Sequence, residues 1–383
     1  MYAQAVQTRY FICRLLDRQG KMVVTFNIQN GVVAMKKGIW IVICLIIGMV
    51  CSLFFFPNIA AYFQHDTPVY DDEQEGLKGQ ITIYFSHVVA ENTPKGLAAQ
   101  RFKELIEKKT NGRVHVVIFP NGSLYSDNDE VEALKKGKVQ MIAPSYSKVA
   151  DLVPEWEVLD LPFIFQNSRH VEKVLTGDTG KNLLGMLDAK GFKGLAFWGN
   201  GFKQMINQQT FVKEPKDFQN KKFRIMPNKV IQKQFRVLGA NPVVASFDQI
   251  YELLEKDEFD GQENTISNIY SKSFYQFHPY LTMSNHGYLG YVVMVNQDFW
   301  NKIPNTIQKQ IVDALNETTR WNMEQANRLN EEQYQQMLKN PHIHIHVLTE
   351  KERRQWMEKF SPLYEVYERK YPKLLTDIKK EAE

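Results

Sequence analysis

Few residues in this 383-residue chain stand in patterns that specify catalysis. No His-Glu-x-x-His, Gly-x-Ser-x-Gly or Walker-type phosphate loop occurs, and Gly199-Asn200-Gly201 lacks the third glycine of a dinucleotide fingerprint. His342, His344 and His346 alternate at period two, so on a strand they would share one face. That face reads either as a metal site or, more simply, as a solvated face with Ile343, Ile345 and Val347 buried behind it. Arg224 carries the clearest chemistry. It lies in the apolar strand pattern Lys222–Met226, where a buried charge is costly unless paired. Its guanidinium offers two parallel donors that match a carboxylate. The partner is either an acid of the chain itself or the carboxylate of a ligand. Asn264, closing Asp260-Gly261-Gln262-Glu263-Asn264, can donate and accept, or it satisfies a turn. Phe247 fits the carbon chain of a ligand or a plain core. In the ligand reading, these residues together would hold an organic anion. Nothing in the sequence argues for an enzyme, a cofactor or a resident metal.

The elements that would position them alternate between strand and helix. Ile81–Phe85 reads as a strand, and Pro94 opens a helix whose apolar stripe is Leu97, Ala98, Phe102, Leu105 and Ile106, ended by Asn111-Gly112. Arg113–Phe119 is a second strand, Asp129–Lys136 a helix and Val139–Ala143 a strand. Further strands are expected at Gly194–Trp198, Lys222–Met226 and Tyr288–Asn296. A helix from Pro304 to about Asn340 is unusually long for a globular domain, which suits a crossing between lobes. The alternation predicts an α/β fold. Its roughly 300 residues predict two lobes with a ligand cleft between them. Ser145, just past the strand Val139–Ala143, is a hydroxyl donor expected to face that cleft.

Composition narrows the function classes. The chain is 44% hydrophobic and 23% charged, with 21 Gly and 15 Pro, which excludes disordered and collagen-like classes. The net charge of +4 is an N-terminal effect. Residues 1–38 hold six basic residues and one acid, leaving 41 basic and 42 acidic groups, a charge of −1, for the other 345. A neutral body argues against nucleic-acid partners, which need a basic surface. Cys13, Cys44 and Cys51 all lie at the front, so the body has no disulfide and no cysteine metal site. Lys36-Lys37 precede eighteen uncharged residues, Ile39 to Phe56. This run reads as a transmembrane anchor or signal segment, with the body outside the cytoplasm. Residues 1–38 are expected to be an unfolded extension: a short cytoplasmic tail, or the product of a start upstream of Met35. Residues 57–79, acidic at Asp66, Asp71, Asp72, Glu73 and Glu75, read as a linker.

Several stretches taken together resemble the substrate-binding proteins of TRAP transporters, the DctP family. They are Phe85-Ser86-His87-Val88-Val89 with Thr93-Pro94-Lys95-Gly96, Thr110-Asn111-Gly112-Arg113 leading to Phe119-Pro120-Asn121-Gly122, and Leu161-Pro162-Phe163-Ile164-Phe165. Lys222-Phe223-Arg224-Ile225-Met226, Leu238-Gly239-Ala240-Asn241-Pro242, Asp260–Asn264 and Thr282-Met283-Ser284-Asn285-His286 follow in order. The C4-dicarboxylate branch is the nearest. The resemblance implies a two-lobe, periplasmic-binding-protein-like (Venus flytrap) fold with a long helix spanning both lobes. It places lobe I at 80–201 and 290–329, and lobe II at 202–289 and 330–383. It implies that Arg224 and Asn264 hold one carboxylate. Lys203 stands where many relatives carry a second arginine, keeping the charge but losing the fork. His87 and Lys95, after the first strand, are expected to meet the far carboxylate. The implied function is a receptor for succinate, fumarate or malate that closes on its ligand and serves a membrane permease. The alternative is a membrane-tethered sensing subunit that signals to a histidine kinase.

Overall fold

The computed structural model describes residues 79–382. The expected extension, the apolar segment 39–56 and all but the last residue of the linker lie outside the described residues.

One mixed sheet of nine strands organises the chain. In sequence they are β1 (Ile81–Ser86), β2 (Val114–Phe119), β3 (Met141–Ile142), β4 (Phe192–Asn207), β5 (Lys222–Ile225), β6 (Asn241–Val244), β7 (Gly261–Thr265), β8 (Tyr280–Asn296) and β9 (His344–Val347). Their order is β2-β1-β3-β8-β4-β7-β5-β6, with β9 beside β8. The antiparallel pair β4 and β8 has 16 and 17 residues, about 50 Å each. That is long enough to serve two lobes. The part of β4 before Gly199 pairs with the end of β8, and β8 there also pairs with β3 of the first lobe. The part of β4 after Gly201 pairs with β7 of the second lobe, and the start of β8 pairs with β9.

The crossing point is irregular. β4 shifts register against β8 at Gly194/Ala196, Gly199/Gly201 and Lys203/Met205. Gly201 sits at φ 141°, and a Cβ on Gly199 would lie 2.3 Å from the Tyr288 hydroxyl. Glycine is needed at both places. The helix Asn305–Leu338 runs behind this point for about 50 Å. Its Asn322 accepts from the Gly199 N–H at 2.6 Å and donates to the carbonyls of Gly199 and Pro94, both at 3.2 Å. About two turns further on, Asn330 donates to the Asn200 carbonyl and accepts from the Ser267 N–H. Both lobes are thereby fastened to one rod.

Apolar residues fill each lobe as the period-two and period-3.6 patterns require. Phe85, Phe102 and Trp198 are fully buried in the first lobe between the sheet, the helix Pro94–Lys109 and the start of the long helix. Each such side chain contributes about 1.5–3 kcal/mol. In the second lobe Phe218, Phe223 and Phe235 pack with Trp356. The C-terminal segment, expected with lobe II, packs in two places. Trp356 and Phe360 join that cluster, whereas Leu363, Tyr367, Leu375 and Ile378 join Trp156, Val171 and Leu183 on the first-lobe side.

Two expectations change. The crossing strands are far longer than Gly194–Trp198 and Tyr288–Asn296, because their outer halves carry polar residues that the fold buries. Val347 on β9 is 60% exposed and not buried behind the histidines. Ile345 on the same face packs against the second-lobe core, whereas Val347, at the end of the strand, lines an open hollow. His344 lies against the Tyr280 ring at 4.8 Å, and His346 Nε2 meets Glu352 at 2.9 Å.

Candidate functional site

A cleft between the lobes, beside the crossing strands, brings six of the seven expected residues together: Lys95, Ser145, Lys203, Arg224, Phe247 and Asn264. It encloses about 470 Å³ of non-atom space, its open mouth included.

Arg224 lies near the end of β5 with 1% exposure. Its Nε and Nη2 donate to the Ala245 carbonyl at 3.1 and 2.7 Å. Among the described residues no carboxylate pairs with it, so the reading as an internal ion pair falls away. Burial lowers its pKa to about 10, against the pull of Asp127, Glu263 and Asp248, and it stays charged at neutral pH. Asn264, on β7, turns its Oδ1 inward to accept from the Thr265 N–H at 3.0 Å and Asn268 Nδ2 at 2.9 Å. Its own amide donors have no protein partner, and they line the cleft. Phe247 is half-buried, edge-on to Phe274 at 6.2 Å, and forms apolar wall.

Lys203 reaches the cleft from β4, yet its charge is taken. Nζ lies 2.8 Å from Glu263 Oε1, Glu263 Oε2 lies 2.8 Å from His286 Nε2, and His286 Nδ1 meets Ser284 Oγ at 2.8 Å. Burial alone would raise the Glu263 carboxyl; Lys203 and His286 overcome it and hold the acid well below the usual carboxylate range. The second-lobe wall thus contributes one net cation, Arg224.

On the first-lobe side, Lys95 is fully buried. Its Nζ donates to the Ala143 carbonyl at 2.9 Å and sits 3.9 Å from the centre of the Tyr291 ring. Burial brings its pKa down to about 8. Ser145 caps the short helix Tyr146–Val149 by accepting from the Ser147 N–H at 3.2 Å, which leaves its own hydroxyl proton for the cleft. His87 is the expected residue that does not arrive. The chain turns after β1 so that its backbone bonds Phe119 and Gly122, and the ring is buried at the edge of a separate outer hollow beside Gln100 and His115. Neither ring nitrogen has a partner.

Besides Glu263, four polar lining residues were not singled out from the sequence. Lys148 pairs with Asp127 at 3.0 Å, and the same carboxylate accepts the Phe247 N–H of the other lobe at 3.2 Å. Tyr291 and Asn268 complete the wall. No spacing marks these residues, because a loop, two helices and a crossing strand deliver them separately. A second contact between lobes joins Asn228 Nδ2 to the Ser147 carbonyl at 2.9 Å and to Asp160 Oδ2 at 3.2 Å.

The lining therefore holds four cations, Lys95, Lys148, Lys203 and Arg224, and two carboxylates, Asp127 and Glu263, leaving two positive charges. The two cations without a carboxylate partner are Lys95 and Arg224, one from each lobe.

Comparison with known proteins agrees with this architecture. The chain is 50% identical over 300 residues to the C4-dicarboxylate-binding protein DctB of Bacillus subtilis (strain 168), covering 78% of this chain and 86% of that one. It is 43% identical over 290 residues to the C4-dicarboxylate-binding periplasmic protein DctP of Rhodobacter capsulatus, covering 76% and 87%. A crystal structure of a TRAP periplasmic solute-binding protein from Shewanella oneidensis, with bound succinate, superposes with a TM-score of 0.76 at 37% identity, covering 79% of this chain and all of that one. The family model for bacterial extracellular solute-binding protein, family 7, matches residues 85–370, and the chain belongs to this DctP family.

Proposed function

We propose that the cleft binds a C4-dicarboxylate such as succinate, fumarate or malate, with one carboxylate on Arg224 and Asn264 and the other near Lys95 and Ser145. One observation carries the reading: Lys95 and Arg224, buried on opposite walls, hydrogen-bond only carbonyls, pair with no carboxylate among the described residues and face the same cleft. Two uncompensated buried cations suit a dianion and disfavour a monoanion, which would leave one of them unpaired. Phe247 covers the carbon chain, and Lys203 with Glu263 gives a rigid, neutral floor. The ligand draws the lobes together because only the closed arrangement offers both cations at once. The membrane partner is a TRAP-type permease that reads the closed shape. The family is extracellular, and the apolar run 39–56 tethers the body to the membrane.

Calorimetric titration tests the site. Succinate is expected to bind at least about tenfold more tightly than butyrate, which lacks the second carboxylate. Arg224→Ala is expected to lower succinate affinity by about 30-fold or more, the cost of removing one partner of a buried charge pair. Equal binding of butyrate and succinate would overturn the dianion reading. Unchanged affinity in Arg224→Ala would remove Arg224 from the site.

A further inference from the structure

Behind the first-lobe wall of the cleft lies an acid that none of these contacts explains. Glu130 opens the short helix Glu130–Lys135 with no exposed surface, and neither carboxyl oxygen has a hydrogen-bond partner. A buried polar group left unpartnered is costly and calls for an account. Its charged neighbours are Lys95 from the helix Pro94–Lys109, Asp127 from the preceding loop, Lys148 from the helix Tyr146–Val149 and Asp248 from the loop after β6. Lys95 is equally buried and lines the cleft. The first-lobe cation available to a ligand thus shares its dry surroundings with an orphan acid that is not part of the lining.

We propose that Glu130 is a positioning residue that sets how much of the Lys95 charge a ligand receives. With a proton on its carboxyl, it leaves that charge to the bound acid; without the proton, it competes with the ligand. This rests on the reading of the cleft as a dicarboxylate site. Burial raises the Glu130 carboxyl to about 8 against the pull of Lys95, so it is neutral at pH 7 and ionises just above. Burial, assisted by Lys148 and opposed by Glu130 and Asp127, brings Lys95 to about 8 as well. The two titrate as a pair, and the first proton to leave belongs to both. His87 also faces Lys95, but burial and that lysine hold it down at about 3, so it exchanges no proton in this range. Asp127 and Lys148 are paired with each other. A carboxylate arriving beside Lys95 favours the fully protonated pair. Binding therefore takes up a proton near and above the pair's pKa, and affinity falls as pH rises.

The test is calorimetry of succinate binding in buffers of different ionisation enthalpy, for wild type and Glu130→Gln. Wild-type affinity is expected to fall by up to about tenfold per pH unit above about pH 8, with uptake of about one proton on binding. Glu130→Gln deletes one of the two deprotonated forms, so with both groups near 8 the fall and the uptake are expected to move up by about 0.3 pH unit. Glu130→Met, which adds no polar atom, is expected to give the same shift and guards against a folding defect in the first variant. Binding with an unshifted profile in both variants overturns the proposal alone, because Lys95 would then own the proton. Absence of succinate binding even at about pH 6 overturns the dicarboxylate reading and this proposal with it.

Discussion

Glu263 shows how a buried charge is maintained next to a ligand site. Its two oxygens are occupied by Lys203 and His286, and all three side chains are almost wholly buried. Removing one partner of such a group leaves the others uncompensated. Glu263→Gln is therefore expected to destabilise the protein by about 3–5 kcal/mol in urea unfolding at neutral pH. The pH dependence follows from the sign of the shift. The folded acid binds protons less readily than the unfolded one, so its stabilisation is present above the unfolded pKa of about 4.3. It is lost as pH falls through the depressed folded value, and unfolding of Glu263→Gln should depend less on pH across that acidic window than unfolding of the wild type. Arg224 was legible in the sequence because a lone arginine in an apolar strand demands a partner. Lys203 was legible as a charge, but its engagement by Glu263 was not, because only the β4–β7 pairing sets the two side by side. His87 misled for a related reason: nearness to Lys95 in sequence says nothing about which way the turn after β1 aims the ring.

The crossing strands are where periodicity alone falls short. Gly199-Asn200-Gly201 and Ser284-Asn285-His286 look like loop sequence, yet they lie within β4 and β8. Their polar atoms are satisfied laterally: Gln204 accepts from the Ser284 and Asn285 N–H groups at 2.8 and 3.0 Å, and Asn200 donates to Thr265 at 2.8 Å. The helices Pro94–Lys109 and Asn305–Leu338, by contrast, follow their apolar stripes to within two residues of expectation, because Thr93 caps one and Pro304 precedes the other. At the bulge, Gly201→Ala introduces a Cβ at φ 141° that would sit 2.8 Å from Asn330 Nδ2. The variant is expected to lose about 1–3 kcal/mol, read as a lower Tm, through strain and displacement of Asn330 from the Asn200 carbonyl.

The lobes meet through few polar contacts, and Asp127 makes one of them from within the cleft. Asp127→Ala removes the acceptor for the Phe247 N–H and the partner of Lys148. The ligand-free ensemble is expected to shift about tenfold or more toward open forms, seen as a larger radius of gyration in X-ray scattering or as lower transfer efficiency between dyes on the two lobes. The two-lobe plan was legible from the strand–helix alternation and the long helix. The return of the last helices to the first-lobe side was not, since Leu363, Tyr367, Leu375 and Ile378 form an ordinary amphipathic pattern that does not name its partner. The strand order has one more consequence, for synthesis. The inner neighbour of β3 is the end of β8, with Met141 opposite Val295, so the first lobe stays an open-edged fragment until the chain has been made well past the second lobe's strands. The edge of β3 has no early local partner, although the helix Pro94–Lys109 covers part of the apolar face. A version ending before residue 280 is expected to emerge without a finished first lobe.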